Sequence, residues 1–113
     1  MRILLIHPQA TVHRHTTGIY GRSARYAPIT MPTLAALVPP DLHAEVRAVD
    51  EMVERLDLDQ PADLVGITCI TGTATRAYEI ADHFRAAGKT VVIGGIHATL
   101  LPDEAARPAD AVV

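Results

Sequence analysis

The sequence predicts an α/β fold built on a doubly wound parallel sheet of five strands. Short apolar runs rich in β-branched residues alternate along the chain with segments of helical period. Such alternation gives a parallel sheet with helices on both faces, and right-handed crossovers then leave few topologies. We expect the strand order 2-1-3-4-5, in which the topological switch point lies between strands 1 and 3.

The predicted strands are apolar runs bounded by polar or turn residues. They cover Ile3 to Ile6, Ala44 to Val49, Leu64 to Thr68, Thr90 to Ile93 and Ala111 to Val113. The fourth run ends abruptly in Gly94-Gly95. This pair marks the carboxyl end of a buried strand that either admits a bulky group or makes a tight turn, and the sequence leaves both interpretations open.

The clearest helix lies between the third and fourth strands. Thr73 or Thr75 is placed to cap its first turn, and Gly88 is placed at its C-terminal end. Apolar residues at helical spacing predict its buried side, which carries Ala77, Ala81 and Phe84.

Three further helices are expected. One runs from Pro32 to Val38, buries Leu34, Leu37 and Val38, and is stopped by Pro39-Pro40. The two weaker ones run from Glu51 to Leu56, entered from Asp50, and from Asp103 to Ala106.

Composition and charge exclude several classes of partner. The chain has 113 residues, 49% hydrophobic and 20% charged, which fits one globular domain over 1–113 with a sizeable core. The formal net charge is -3 and the basic residues are scattered, so we expect no nucleic-acid partner. The apolar run at the N-terminus is too short for a signal peptide, and no segment could span a bilayer. We therefore expect a cytoplasmic protein without a membrane partner.

The predicted topology brings three loops together at the carboxyl edge of the sheet. They follow Ile6, Thr68 and Ile93, and ligands of open α/β sheets bind in the crevice between such loops. The long polar segment from Ala10 to Ile29 is expected to form a flap over this edge, with His13 and His15 as solvated loop residues.

The single cysteine, Cys69, lies in an apolar segment that resembles a strand. A cysteine in such a place is usually a small buried hydrophobe rather than a nucleophile. Since no pattern of a catalytic triad or paired carboxylates is present either, we expect no catalytic residues in this chain.

Motifs along nearly the whole chain resemble one known family. In order, they are a first strand ending His7-Pro8, a first helix opening at Pro32, Ala62-Asp-Leu-Val-Gly-Ile-Thr68, Thr71-Gly-Thr, Ala77-Tyr-Glu-Ile-Ala81, Gly88-Lys-x-Val-Val-Ile-Gly-Gly-x-His97-Ala-Thr, Leu101-Pro-x-Glu-Ala105 and Ala109-Asp-x-Val-Val113. With these motifs the chain resembles the N-terminal cobalamin-binding domain of cobalamin-dependent radical S-adenosylmethionine (SAM) enzymes. The resemblance implies a Rossmann-like fold of the flavodoxin type, the same fold that the alternation predicts.

The resemblance also implies which residues hold the cofactor. Thr68-Cys69-Ile70 takes the place of the family's Ser-x-Leu and keeps a hydroxyl for the buried nucleotide tail of cobalamin, while Gly94-Gly95 leaves room for that tail. Thr71-Gly72-Thr73 would let the corrin ring lie flat over the sheet edge. The expected cofactor-binding residues are His7, Pro8, Thr68, Cys69, Ile70, Thr71, Gly72, Thr73, Gly94, Gly95, His97 and Thr99.

Two histidines keep alternative roles. Cobalamin-binding domains more broadly carry Asp-x-His-x-x-Gly after the first strand, where this chain reads His7-Pro-Gln-Ala-Thr-Val-His13. The departure favours the radical SAM branch, which commonly lacks this cobalt ligand. We therefore interpret His7 as a hydrogen-bonded residue at a strand end, with ligation of cobalt as the alternative. His97 either donates to a corrin amide or caps the short helix together with Thr99.

The expected whole protein is longer than this chain. No Cys-x-x-x-Cys-x-x-Cys motif for an iron-sulfur cluster is present, and the sequence stops inside a predicted strand. The resemblance implies a radical SAM methyltransferase, or a related cyclase, whose barrel domain holds a [4Fe-4S] cluster and SAM. Its substrate cannot be identified from this sequence.

Two alternatives of the same fold carry less support. A receiver-like regulatory module needs an acidic cluster after the first strand, which His7-Pro8-Gln9 does not offer. A flavin mononucleotide carrier needs a Ser/Thr-rich phosphate loop there and more aromatic residues than this chain has.

Overall fold

The computed structural model of the chain describes residues 1–10 and 28–113. The strands and helices follow one another as β1 (Arg2–His7), α1 (Thr30–Leu37), β2 (Glu45–Asp50), β3 (Leu64–Thr68), α2 (Ala74–Ala86), β4 (Thr90–Gly94), α3 (Ile96–Leu100), α4 (Pro102–Ala105) and β5 (Ala111–Val112). Short 3-10 helices, Pro40–Leu42 and Thr71–Thr73, precede β2 and α2. Of the flap expected over Ala10 to Ile29, residues 11–27, with His13 and His15, lie outside the described residues.

The strands form one parallel sheet in the order β2-β1-β3-β4-β5, which confirms the predicted fold and order. Ile6 of β1 lies beside Ile67 of β3, and Ile67 lies beside Ile93 of β4. Because the chain direction is the same in all three, the carboxyl ends of β1, β3 and β4 lie next to one another. The switch point between β1 and β3 therefore opens at this edge, as predicted.

One face of the sheet, which we call the covered face, packs against α2, α3 and α4. Alternate strand residues point to it, as the period of two in a strand requires. They meet the apolar side of α2 in a single core cluster that includes Leu4, Ile6, Val65, Ile67, Val91, Ile93, Ala77, Ile80, Ala81 and Phe84. The predicted buried side of α2 is confirmed, and Phe84 is 1% exposed.

The opposite face, which we call the open face, packs against α1. Here Ile3 and Leu5 of β1 form a smaller cluster with Met31 of α1. Among the described helices, α2, α3 and α4 all contribute to the other cluster, so α1 alone lies on this face. It contacts mainly β1 and β2.

The first helix differs from its prediction in start and in orientation. It begins at Thr30, two residues before Pro32, and Leu34 and Leu37, which we expected to be buried, are 43% and 71% exposed. The side that meets the sheet instead carries Met31 and Ala35, and Val38 packs beside them as predicted. This choice places Leu34 at the side of the helix, above the neighbouring strands.

The helix predicted from Glu51 to Leu56 is wrong, because this segment is a turn. The backbone N–H groups of residues 53 and 54 both donate to the carbonyl of Asp50, and the Asp50 carboxylate accepts from the N–H of Met52 at 2.9 Å. Met52 and Val53 are 41% and 72% exposed. Leu56, at the end of the segment, does pack in the core cluster of the covered face, and the local Asp50 bonds determine the conformation of the turn before it.

The ends of α2 confirm one predicted cap and correct the other. Gly88 has φ +74° just after the helix, which is the left-handed conformation expected of a C-terminal glycine. Thr73 precedes the helix but does not cap it, since its hydroxyl bonds back to the N–H and carbonyl of Ile70, both at 3.1 Å. Thr75 lies inside the helix. None of the described helices is long and apolar enough to cross a membrane.

Candidate functional site

An apolar cavity of about 300 Å³ opens on the open face of the sheet, beside α1. It is lined by Ile3, Leu5, Leu34, Val38, Leu64, Gly66, Ile67, Thr68, Val92, Gly94 and Val113. Among the described residues that line it, Thr68 alone has a polar side chain. The volume lies at the lower end of the range for small-molecule sites, and it is roughly twice the 150 Å³ of an engineered cavity that binds benzene. A group of two fused rings is therefore of suitable size.

Two glycines form part of the cavity wall. Gly94 lies beside Thr68 in the sheet register, and Gly66 lies beside Val92. A Cβ at Gly66 would come within 3.0 Å of the Leu5 side chain, and one at Gly94 within 3.4 Å of the Val113 carbonyl oxygen. The space over β3 and β4 therefore exists partly because these positions lack side chains. Gly66 was not predicted as a site residue, although a lone glycine inside a strand signals a close approach.

Gly95 has a different role from its neighbour. Its φ is +103°, and a Cβ there would lie 2.8 Å from the carbonyl oxygen of Cys69. The backbones are held together by hydrogen bonds from Cys69 N to Gly94 O at 2.7 Å and from His97 N to Cys69 O at 3.0 Å. Gly95 thus makes the turn into α3, while Gly94 lines the cavity, so each of the two open interpretations describes one glycine.

Cys69 directly follows Thr68, which lines the cavity, and its side chain is fully buried. Burial is the main cause that raises the pKa of its thiol to about 11, and the Glu104 carboxylate adds to the shift. The thiol is therefore protonated near neutral pH. This agrees with its prediction as a small buried hydrophobe rather than a nucleophile.

A chain of four polar side chains crosses the carboxyl edge above Cys69. Thr71 Oγ1 lies 3.1 Å from His97 Nδ1, and His97 Nε2 lies 3.2 Å from Glu104 Oε1. The Tyr78 hydroxyl donates to the same carboxylate oxygen at 3.0 Å. His97 is only 5% exposed, whereas Thr71 is exposed at the edge. We call Thr71, His97, Glu104 and Tyr78 the edge relay.

The shifted pKa values in the edge relay follow from these bonds. The hydrogen bonds from His97 and Tyr78 lower the pKa of the Glu104 carboxyl, so this group is ionised near neutral pH. Burial, followed by the bond to Glu104, raises the pKa of Tyr78 to about 12. Glu104 and Tyr78 were not predicted as partners of His97, because their distance along the chain gives no signal of the contact.

Of the two roles left open for His97, the helix cap together with Thr99 is wrong. His97 is the second residue of α3, and both of its ring nitrogens are bonded within the edge relay. The Thr99 hydroxyl donates to the carbonyl of Gly95 at 3.0 Å, one turn back in the same helix. Neither side chain bonds to the first N–H groups of a helix.

The other predicted site residues lie in the turn after β3 and at the end of β1. Ile70, Thr71, Gly72 and Thr73 form the turn after β3, where Ile70 is 46% exposed and Thr73 is buried. His7 and Pro8 end β1 one strand away and do not line the cavity. His7 Nδ1 lies 3.2 Å from the Asp50 carboxylate, as expected of a hydrogen-bonded residue at a strand end. Within 1–10 and 28–113, no group of three His, Cys, Asp or Glu side chains could hold a metal ion.

Two methyltransferases are similar in sequence to parts of this chain. Bacteriochlorophyllide d C-8(2)-methyltransferase of Chlorobaculum tepidum is 49% identical over 86 residues, which cover 75% of this chain and 19% of that protein. Bacteriochlorophyllide d C-12(1)-methyltransferase of the same organism is 47% identical over 51 residues, covering 45% of this chain and 11% of that protein. The chain thus spans less than a fifth of the length of either relative. No solved structure matches it significantly.

The model of the B12 binding domain family matches residues 30–113. This range contains α1 and everything from β2 to β5, including the turn after β3, both glycines after Ile93 and the whole edge relay. The match covers most of the chain and agrees with the strand order. This chain therefore belongs to the B12-binding domain family.

Proposed function

We propose that this chain binds cobalamin with its nucleotide tail in the apolar cavity and its corrin ring across the carboxyl ends of β1, β3 and β4. The observation that carries the proposal is the cavity itself. It is apolar, it borders the carboxyl ends of β3 and β4, and Gly66 and Gly94 keep it free of side chains. Ligands of doubly wound sheets bind outside these strand ends.

The tail of cobalamin fits the chemistry of the lining residues. Its dimethylbenzimidazole base is flat, bicyclic and largely apolar, and the cavity of about 300 Å³ is lined almost wholly by aliphatic side chains. The Thr68 hydroxyl is the exception, and among the described residues it has no hydrogen-bond partner. It can therefore donate to the ring nitrogen that a tail displaced from cobalt would expose.

The ring would rest on the turn after β3 and the start of α3. The exposed side chains of Ile70 and Ile96, at 46% and 68%, offer apolar contact at this edge. The hydroxyl of Thr71 and the backbone at Gly72 offer polar contact to the amide side chains of the corrin. Bound cobalamin would supply a cobalt centre able to carry a methyl group, and the residues of this chain would hold and orient it.

We propose further that the chain is part of a cobalamin-dependent radical SAM methyltransferase. Both relatives are methyltransferases by name, and the motifs resemble the radical SAM branch. A barrel domain of the same protein would then hold SAM and a [4Fe-4S] cluster. A coding sequence that continues into a Cys-x-x-x-Cys-x-x-Cys motif would support this role, whereas a continuation without it would contradict it.

Equilibrium dialysis of the chain against hydroxocobalamin tests cobalamin binding directly. We expect the cofactor to be retained, with the absorption spectrum of a cobalamin whose benzimidazole has left the cobalt. Complete recovery of free cobalamin outside the bag would contradict the proposed function. If the cofactor is retained with an unchanged spectrum, the tail is still bound to cobalt, which would contradict its placement in the cavity.

The variant His7→Ala tests whether the protein supplies the lower ligand. We expect the spectrum of bound cobalamin to stay the same, because His7 bonds to Asp50 and does not line the cavity. A changed spectrum would make His7 the ligand, with the Asp50 carboxylate orienting its ring, since such carboxylate–histidine pairs are common beside metals.

A further inference from the structure

The hydrogen bonds of the edge relay determine which ring nitrogen of His97 carries the proton. The Glu104 carboxylate is ionised and can only accept hydrogen bonds, and it already accepts from the Tyr78 hydroxyl. The bond at 3.2 Å from His97 Nε2 to Glu104 therefore requires a proton on Nε2. In a neutral imidazole the other nitrogen, Nδ1, then has a lone pair and no proton.

This tautomer in turn orients the hydroxyl of Thr71. In this neutral tautomer Nδ1 of His97 can only accept, so the bond of 3.1 Å between these side chains uses the proton of the Thr71 hydroxyl. What Thr71 still offers at the exposed edge is the lone pairs of its oxygen. A threonine hydroxyl is ordinarily both donor and acceptor, but in this position it is restricted to accepting.

We propose that Thr71, held by His97 and Glu104, presents only a hydrogen-bond acceptor to the corrin edge and so selects a carboxamide N–H over a carboxylate. The inference rests on the proposed binding of cobalamin at this edge. Thr71 would touch the ligand, whereas His97 and Glu104 act through it as positioning residues. A carboxylate in place of the amide has no proton to donate and would face an oxygen lone pair.

The tautomer can be measured on the chain without any ligand. Nitrogen-15 NMR of the histidine rings near pH 8, where imidazoles are ordinarily neutral, distinguishes a protonated Nε2 from a protonated Nδ1. We expect His97 to carry its proton on Nε2. A proton on Nδ1, or on both nitrogens, would overturn the inference whether or not the chain binds cobalamin.

The variant Glu104→Ala tests the positioning, with Asp103→Ala as its matched control. Both changes remove a carboxylate from the first turn of α4, but only Glu104 bonds to His97. We expect Glu104→Ala to mix the two tautomers in the NMR spectrum and Asp103→Ala to leave His97 unchanged. An unchanged His97 in the Glu104→Ala protein would show that the carboxylate does not determine the tautomer.

Binding of cobalamin derivatives tests the selection itself. The probes are hydroxocobalamin and its monocarboxylic acids, in each of which one carboxamide has become a carboxylate. For the wild-type chain we expect at least one acid to bind about tenfold more weakly than hydroxocobalamin, the worth of roughly one hydrogen bond. Thr71→Val, which removes the hydroxyl at nearly constant shape, should abolish that difference, and Thr71→Ser should restore it.

The outcomes separate this inference from the proposed function. If the wild-type chain binds none of the probes, the proposed function fails, and the tautomer measurement still decides on the edge relay. If it binds hydroxocobalamin but Thr71→Val leaves every ratio between probes as in the wild type, the selection by Thr71 is wrong and cobalamin binding stands.

Discussion

The two faces of the sheet differ in how completely helices cover them. On the covered face, α2, α3 and α4 pack over β1, β3 and β4, and the core cluster there leaves Phe84, Ile80 and Ile93 at most 1% exposed. On the open face, α1 lies over β1 and β2, and the space above β3 and β4 is the apolar cavity. In the part of the chain that the structure describes, the same strands thus have one side closed by packing and one side with room for a ligand.

From this difference we infer that stability depends mainly on residues of the covered face, and the proposed binding of cobalamin on residues of the open face. Substitutions on the covered face should lower the free energy of unfolding, since they leave cavities in a packed core. Substitutions that fill the open face should alter ligand affinity while the fold remains.

Phe84→Ala should have the largest effect on stability. Phe84 is the largest fully buried side chain among the described residues, and its truncation should lower the free energy of unfolding by about 3 to 5 kcal/mol. Leu37→Ala on α1 is the control, because Leu37 is 71% exposed and should cost less than about 1 kcal/mol. Urea denaturation measures both. Equal losses would mean that the two faces do not differ as described.

Gly95→Ala should destabilise the domain by about 2 kcal/mol or more, because a residue with a Cβ is strained at positive φ and would press on the Cys69 backbone. Thermal unfolding measures the loss. A protein as stable as the wild type would show that the turn after β4 does not need a glycine.

Alkaline pH should weaken the covered face. The pKa of Cys69 is raised from 9.0 to about 11 and that of Tyr78 from 10.0 to about 12, so the fold favours their neutral forms. Their contribution to stability is complete below the unfolded values and is lost as pH rises from about 9 to about 12. In urea titrations Cys69→Ala should lose less stability over this range than the wild type. An equal loss would assign the effect to other groups.

Much of the covered face could be predicted from the sequence, because the period of α2 and the β-branched runs report directly on burial. The open face was harder. Leu34 and Leu37 fit a buried helical side as well as Met31, Ala35 and Val38 do, and the choice depends on where α1 sits across the strands. The helix expected after Asp50 failed for another reason, since local bonds to Asp50 favour a turn, and Leu56 reaches the core cluster without a helix.

The candidate site was predictable where the family motifs are local in sequence. Thr68 and Gly94 lie at the cavity, where the motifs suggested the tail, although the sequence could not assign different roles to Gly94 and Gly95. The difference arises because the backbone of Cys69, just after β3, lies against Gly95. This contact joins two separate segments, so it cannot be predicted from the local sequence. The partners of His7 and His97 are likewise contacts between elements, made by Asp50, Glu104 and Thr71.

The most direct test of the account is the affinity of Gly94→Val for cobalamin and for cobinamide, which lacks the nucleotide tail. Valine should fit the strand at a cost of about 1 kcal/mol, but its methyl groups would occupy the cavity. Thr90→Val is the control, since Thr90 lies on the same side of β4 and does not line the cavity.

We predict that Gly94→Val weakens cobalamin binding at least about tenfold, the expected cost of overpacking. It should leave cobinamide binding unchanged, and Thr90→Val should alter neither affinity. A folded Gly94→Val protein that binds cobalamin like the wild type would contradict the placement of the tail on the open face.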